Sequence, residues 1–274
     1  MSDLYLVATP IGNLEDMSFR AVRILKEVPL IAAEDTRTSA TLLKHYQIDT
    51  PLTSYHDHNK KSKTAVLLDH LTTSDLALIS DAGTPAINDP GFILVQAALA
   101  AGHNVVPIPG PSAPIAALSA AGLPTDNFLY LGYLPRKKKA RKDILQLVND
   151  FPWTLVFLET PHRLLDALED CQSTLGNRQI AVARELTKMH EEIKRGTIEQ
   201  VRNHYLEKEP RGEITLIIAG KEKAGIWSEK HLLEVILEQG TGEDVSPSHL
   251  AKRLAKESGW SRSDIYDLMQ GLQD

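Results

Sequence analysis

Along the first 121 residues, short apolar runs alternate five times with segments of helical character. The runs fall at residues 4–9, 30–33, 52–55, 76–79 and 104–108, each too short for a helix and closed by polar, Gly or Pro residues. Between them, Ser18 caps a segment in which Val22 and Leu25 recur at helical spacing. Further helices are predicted over 39–46, 65–71, 92–101 and 113–121. Strands alternating with helices at this spacing require crossover connections, and so an α/β layer around a mostly parallel sheet. Such a sheet binds ligands outside the carboxyl ends of its strands.

Two loops fall on that edge. Ser80-Asp81-Ala82-Gly83-Thr84-Pro85 follows the fourth run, and Pro109-Gly110-Pro111-Ser112-Ala113 follows the fifth. Asp81 can accept hydrogen bonds from a ligand amine or hydroxyl, or it can cap a helix. Gly83 lets backbone approach a ligand, and Pro85 and Pro90 stiffen the turn. Lying one βα unit apart, the loops are placed to form half of a small-molecule pocket.

After a linker at 120–127 the alternation resumes with shorter units, with strands expected at 128–131, 154–158, 180–183, 193–196 and 214–219 and a helix at 198–206. From Ser228 three short helices follow, at 230–238, 247–256 and 263–270. The expected organisation is an α/β domain at 1–119, a second α/β domain with a mixed sheet at 126–222, and a helical extension at 228–274. The extension has helix-turn-helix rhythm around Ser258-Gly259-Trp260. Its charge argues against reading nucleic acid: Glu229, Glu234, Glu238, Glu243, Asp244, Glu257, Asp264, Asp267 and Asp274 outnumber Lys230, Lys252, Arg253, Lys256 and Arg262.

Composition removes several classes. The lone cysteine, Cys171, excludes an internal disulfide and a cysteine zinc cage, and suits a reducing cytosol. No basic segment precedes the first apolar run, so a secretory signal is not expected, and no run has the length of a membrane span. The expected location is cytoplasmic. A net charge of −6 disfavours blanket polyanion binding. The dinucleotide G-x-G-x-x-G, the P-loop, H-E-x-x-H and G-x-S-x-G patterns are all missing.

The motifs, taken in order, carry a family resemblance. Ala8-Thr9-Pro10-Ile11-Gly12-Asn13, Ala33-Glu34-Asp35-Thr36-Arg37, the Asp81 and Ser112 loops, and Glu159-Thr160-Pro161-His162-Arg163 make the chain similar to the tetrapyrrole-methylase superfamily over about residues 4–222. Within it, the chain most resembles members that 2′-O-methylate a cytidine of 16S rRNA. The resemblance implies a homodimer of two α/β domains with S-adenosylmethionine in the cleft between them. Carried over by position, Pro10 borders the cofactor, and Asp81, Thr84 and the Ala82 backbone hold its amino-acid or ribose part. Ser112 and Ala113 touch it from the second loop, and Leu158 and the 214–218 strand close it from the second domain.

A ribose hydroxyl needs a base or a cationic neighbour to become a nucleophile. Three clusters offer one: Glu34, Asp35 and Arg37; His56 with His58; and Glu185 with Lys188. The expectation is that Glu34, Asp35 or His56 takes the proton while Arg37 or Lys188 holds a phosphate. Each cluster also has a plainer reading. The first suits a helix start with a surface ion pair, the histidines suit an exposed loop, and Arg184 with Glu185 suits a domain-interface pair. No third ligand is spaced to make the histidines a metal site, so no metal is expected.

For RNA the candidate is the densest basic run, Arg136, Lys137, Lys138, Lys139, Arg141 and Lys142, after the exit of the second domain's first strand. Tyr133 beside it can offer a stacking face. Two other functions stay open at this level. One is methylation of a precorrin-type tetrapyrrole, which leaves the basic run without a role. The other is a cofactor-sensing protein that uses its tail on DNA, which the acidity of that tail disfavours.

Overall fold

The computed structural model describes residues 2–208, 210–221, 227–240 and 246–272. In chain order the first half contains β1 (Asp3–Val7), α1 (Phe19–Glu27), β2 (Ile31–Ala33), α2 (Thr36–His45), β3 (Leu52–Ser54), α3 (Lys60–Leu71), β4 (Leu76–Ile79), α4 (Gly91–Ala100), β5 (Asn104–Ile108) and α5 (Ala113–Ala120). The five strands form one sheet in the order β3-β2-β4-β1-β5, and every pairing is parallel. β2 and β4 are buried along their whole length, as expected of central parallel strands covered on both faces. Side-chain alternation divides β4 between two cores. Ala77 and Ile79 pack with Ile24, Leu25, Leu42 and Leu43 of α1 and α2. Leu76 and Leu78 pack with Leu67, Leu71, Leu94 and Ala98 of α3 and α4.

Two helix starts differ from the sequence expectation. α2 begins a turn before Ser39, because Asp35 is its N-cap and accepts from the Arg37 amide at 2.8 Å; Ser39 itself is buried. α3 begins at Lys60 rather than at Ala65, its polar first turn standing ahead of the residues that pack.

The second half contains β6 (Phe128–Tyr133), α6 (Lys138–Leu147), β7 (Thr154–Glu159), α7 (Leu164–Leu175), β8 (Gln179–Arg184), β9 (Glu192–Thr197), α8 (Ile198–Glu207) and β10 (Ile214–Ile218). Its sheet runs β6-β7-β10-β8-β9 and is mixed: β6 and β7 are parallel, and the other pairings are antiparallel. By contacts, both sheets belong to one compact unit, Met1–Val148 with Trp153–Ala219, and the second unit is Asn149–Pro152 with Gly220–Asp274.

Within the second unit, α9 (Glu229–Gly240), α10 (Pro247–Ser258) and α11 (Arg262–Gly271) close on Leu232, Ile236, Leu250, Leu254 and Ile265. Gly259, with φ +71°, turns α10 into α11. Of the acidic residues noted in this tail, Glu243, Asp244 and Asp274 lie outside the described residues, as does Glu222 at the expected domain boundary. Among the described residues no helix is long and apolar enough to cross a membrane, and no cluster of His, Cys, Asp and Glu could hold a metal ion.

Candidate active site

All five parallel strands deliver their exits to one edge, and the two Gly/Pro loops meet there. Thr9, after β1, and Gly83, after β4, exchange backbone hydrogen bonds of 2.9 and 3.0 Å. Gly83 makes that bridge at φ +79°, which a side chain would strain. The Thr84 hydroxyl then donates to the Pro111 carbonyl at 3.2 Å, tying the first loop to the second.

Beyond these loops is a cavity enclosing about 770 Å³ of space, counting the part open to solvent. That lies within the ~300–1,000 Å³ usual for small-molecule sites. The first sheet's loops supply Ile11, Ala82, Gly83, Thr84, Ser112 and Ala113. The second sheet supplies Tyr130 and Tyr133 from β6, Leu158 from β7, and Glu213, Ile214 and Thr215 at the start of β10. The structure therefore brings Ala82, Thr84, Ser112, Ala113 and Leu158 to one cavity.

Pro10 and Asp81 stand just outside the wall. Pro10 precedes Ile11. The Asp81 carboxylate is engaged within the protein, accepting from the Asp35 amide at 2.9 Å, while the Asp81 amide donates to Glu34 Oε2 at 3.4 Å. Asp81 thus ties the β4 exit to that of its neighbour β2, and does not cap α4. The residue serving the start of α4 is Asp89, which accepts from the amides of Ala86 and Gly91 at 2.7 and 2.6 Å.

The acidic cluster divides electrostatically. Arg37 grips Asp35 with two hydrogen bonds of 2.7 and 3.1 Å, which hold its pKa at about 2. Burial pushes the Glu34 carboxyl above the ordinary glutamate value, and the charges of Asp81, Asp89 and Asp57 add to the rise against the Asp81 amide. The Tyr133 hydroxyl is pushed up as well, first by burial and then by Glu213, Glu159 and Glu34. His56 lies at the exit of the edge strand β3, its ring edge-on to His58 at 5.9 Å and its buried Nδ1 without a hydrogen-bond partner. None of Glu34, Asp35, Arg37 and His56 lines the cavity; they flank it along the sheet edge.

Glu185 and Lys188 lie on the opposite side, in the turn after β8. They pair at 2.9 Å, and Lys188 also reaches Glu213 at 3.3 Å. This turn presses on the loop after β1: a Cβ on Gly12 would lie 2.5 Å from Lys188 Cγ and 2.9 Å from the Leu186 carbonyl. Sequence reasoning missed Tyr130, Leu186 and Glu213 on the cavity wall. The one signal was Gly212-Glu213 at a strand entrance, too common a pair to stand out.

The basic run needs one correction. Arg141 is not available to RNA, because its guanidinium is only 4% exposed and is bonded to the buried Asp170 at 2.6 and 2.8 Å. Helical periodicity explains this: Arg141 and Leu145 share the inner face of α6. Lys138 and Lys142 lean towards the same carboxylate, 3.9 and 3.6 Å from Oδ1. Arg136, Lys137 and Lys139 are exposed beside them. The exit of β6 that carries the run is held by Arg163, which donates to the Leu134 carbonyl and to the buried Glu159, the latter at 3.0 Å.

The family model for Tetrapyrrole (Corrin/Porphyrin) Methylases matches residues 3–202. A protein of Halalkalibacterium halodurans called ribosomal RNA small subunit methyltransferase I is 45% identical over 270 residues, covering 97% of this chain and 93% of its own. One of the same name from Synechocystis sp. is 46% identical, covering 100% and 99%. Among solved structures, a cobalt precorrin-4 methyltransferase superposes with TM-score 0.60 at 14% identity, over 79% of this chain and 94% of that one. A uroporphyrin-III C-methyl transferase from Thermus thermophilus, complexed with S-adenyl homocysteine, gives 0.56 at 21% over 80% and 97%.

Proposed function

The chain belongs to the tetrapyrrole methylase family, within the group of ribosomal RNA small subunit methyltransferase I, and on that premise we propose that it 2′-O-methylates a cytidine of 16S rRNA, cytidine 1402, using S-adenosylmethionine. The observation that carries the reading is the near end-to-end similarity to the rRNA methyltransferases, at more than twice the identity found with the tetrapyrrole enzymes.

The cavity suits the cofactor. Its wall combines apolar side chains with the hydroxyls of Thr84, Ser112 and Thr215 and the rings of Tyr130 and Tyr133, a set fitted to an adenosine and a thioether chain. Thr84, the Ala82 backbone, Ser112, Ala113 and Leu158 would hold it. When bound, S-adenosylmethionine supplies an electrophilic methyl group on a sulfonium. The protein's part is to align the ribose hydroxyl and to receive its proton. We assign the proton to Glu34, because Asp35 is committed to Arg37. Incubating the protein with S-adenosylmethionine and small subunits lacking the modification should produce one new 2′-O-methylcytidine in 16S rRNA. Unmodified rRNA would refute the assignment.

Phosphate contact falls to Arg136, Lys137 and Lys139. Replacing these three by alanine should weaken subunit binding and lower the slope of log K against log salt by about 2–3, roughly 0.7–0.9 per lost phosphate contact. An unchanged slope in a filter-binding titration would exclude the run from the interface.

We also propose a cytoplasmic homodimer. Its support is the outer face of α4, where Phe92 and Leu99, seven residues apart, are 54% and 57% exposed. Changing Phe92 and Leu99 together to aspartate should convert a dimer to a monomer in sedimentation equilibrium. A dimer that survives the change would place the interface elsewhere.

A further inference from the structure

The wall of the cavity carries a single formal charge at neutral pH. Among the described residues that line it, all but Glu213 are apolar, hydroxyl-bearing, phenolic or glycine. Glu213 stands where β10 begins, its side chain 71% exposed, with Oε2 at 3.3 Å from Lys188 Nζ. The same ammonium lies 2.9 Å from Glu185 Oε1, and that oxygen also accepts from the Glu213 amide at 3.1 Å. The Glu185 amide in turn donates to the Glu213 carbonyl at 3.0 Å. Two carboxylates and one ammonium are thus locked into an array with one net negative charge.

The backbone is arranged to keep it so. Glu185 and Thr187 both adopt left-handed conformations, with φ +51° and +65°, although neither is glycine. Strain of that kind persists only where surrounding contacts over-determine it. Here the Thr187 amide donates to Glu191 at 2.6 Å and the Lys188 amide to the Glu185 carbonyl at 3.0 Å. The Lys188 hydrogen bond holds Glu185 below the ordinary glutamate range, against partial burial. Burial pulls Lys188 down, but the hydrogen bond to Glu185 and the charge of Glu213 outweigh it. Glu185 and Lys188 therefore stay ionised at neutral pH.

We propose that Glu213, held by Lys188 and Glu185, selects for charge in the cavity, favouring a bound sulfonium over the neutral thioether that remains after methyl transfer. The proposal rests on reading the cavity as the S-adenosylmethionine site. Transfer breaks the S–CH3 bond and forms an O–CH3 bond; the sulfur keeps the electron pair and loses its positive charge, and the hydroxyl proton passes to a base. Substrate and product cofactor share the same adenosine, ammonium and carboxylate. A carboxylate that senses the sulfonium therefore changes one affinity and not the other. With its side chain 71% exposed, its field across the cavity is partly screened by solvent, which keeps the effect modest. The consequence is a site that releases its spent cofactor more readily than it releases the fresh one.

Isothermal titration of the full chain with S-adenosylmethionine and with S-adenosylhomocysteine tests this directly. Glu213→Gln should weaken binding of the sulfonium by about three- to tenfold, as for removing one partly screened charge, with S-adenosylhomocysteine affinity unchanged within about twofold. Glu213→Asp, which keeps the charge, should retain the wild-type ratio of the two affinities. Equal weakening of both ligands in Glu213→Gln, or no change in either, overturns the charge-selection proposal while leaving the cofactor reading intact. Wild-type protein that binds neither ligand overturns the cofactor reading, and this proposal with it.

Discussion

Replacing Glu34 by glutamine is expected to slow methyl transfer to small-subunit rRNA by about 10²–10⁴-fold, the range typical of losing a general base. The expectation comes from the way the β2 exit separates two adjacent carboxylates. Asp35 caps α2 and is clamped by Arg37, so that with a pKa of about 2 it is a weak proton acceptor at neutral pH. Burial and the neighbouring acids raise the affinity of Glu34 for a proton. It is also close enough to Tyr133, a residue of the cavity wall, for its charge to raise the phenol's pKa.

The sign of the pH dependence follows. A base works deprotonated, so the single-turnover rate should rise with pH through an inflection above the ordinary glutamate value. Asp81→Asn removes a negative charge that raises Glu34 and keeps an acceptor for the Asp35 amide. It should therefore move the inflection to lower pH. A Glu34→Gln protein of normal rate, with a slow Asp35→Asn protein, would transfer the role to Asp35. Cofactor affinity measured alongside should be unchanged in Glu34→Gln, since Glu34 does not line the cavity.

How much of this was legible beforehand depends on the range of the interaction concerned. The parallel sheet is written in local terms, as short apolar runs, crossover lengths and Gly/Pro turns, and β1 to β5 pair accordingly. The same locality put the Asp81 and Ser112 loops on the ligand edge, because a βα loop carries its position with it, whereas naming Ala82, Thr84, Ser112 and Ala113 within them took the family resemblance. Glu213 escaped notice because its significance lies in Lys188, twenty-five residues earlier, and in a turn whose left-handed backbone at Glu185 and Thr187 leaves no glycine signature. Glu34, Asp35 and Arg37 looked equivalent in sequence and are distinguished only by a side-chain clamp and by Asp81, 47 residues from Glu34. Arg141 was misread for a related reason. Six cations in seven residues look like one surface patch, and only the phase of α6 turns one of them inward.

That inward arginine supplies the largest expected effect on stability. Arg141→Met should lower the free energy of unfolding by about 3–5 kcal/mol, the usual cost of removing one partner from a buried ion pair. Asp170 is 1% exposed and receives both Nε and Nη2 of the guanidinium, so methionine would leave a buried carboxylate with only Lys138 and Lys142 near it, at 3.9 and 3.6 Å. Arg141→Met combined with Asp170→Leu removes both charges and should recover most of the loss, since apolar replacement of a whole buried pair is often neutral or better. Denaturant unfolding of the two single variants and the double one closes the cycle; a double variant as unstable as the sum of the singles would mean that the pair is not coupled. The same residue separates structure from RNA contact. Arg141 Nη1 lies 3.5 Å from the Pro135 and Arg136 carbonyls, supporting the start of the basic run from within. Its loss should therefore weaken subunit binding with no change in salt slope, whereas loss of Arg136, Lys137 and Lys139 should lower the slope with little change in stability. A lowered slope in Arg141→Met would return this arginine to the RNA interface.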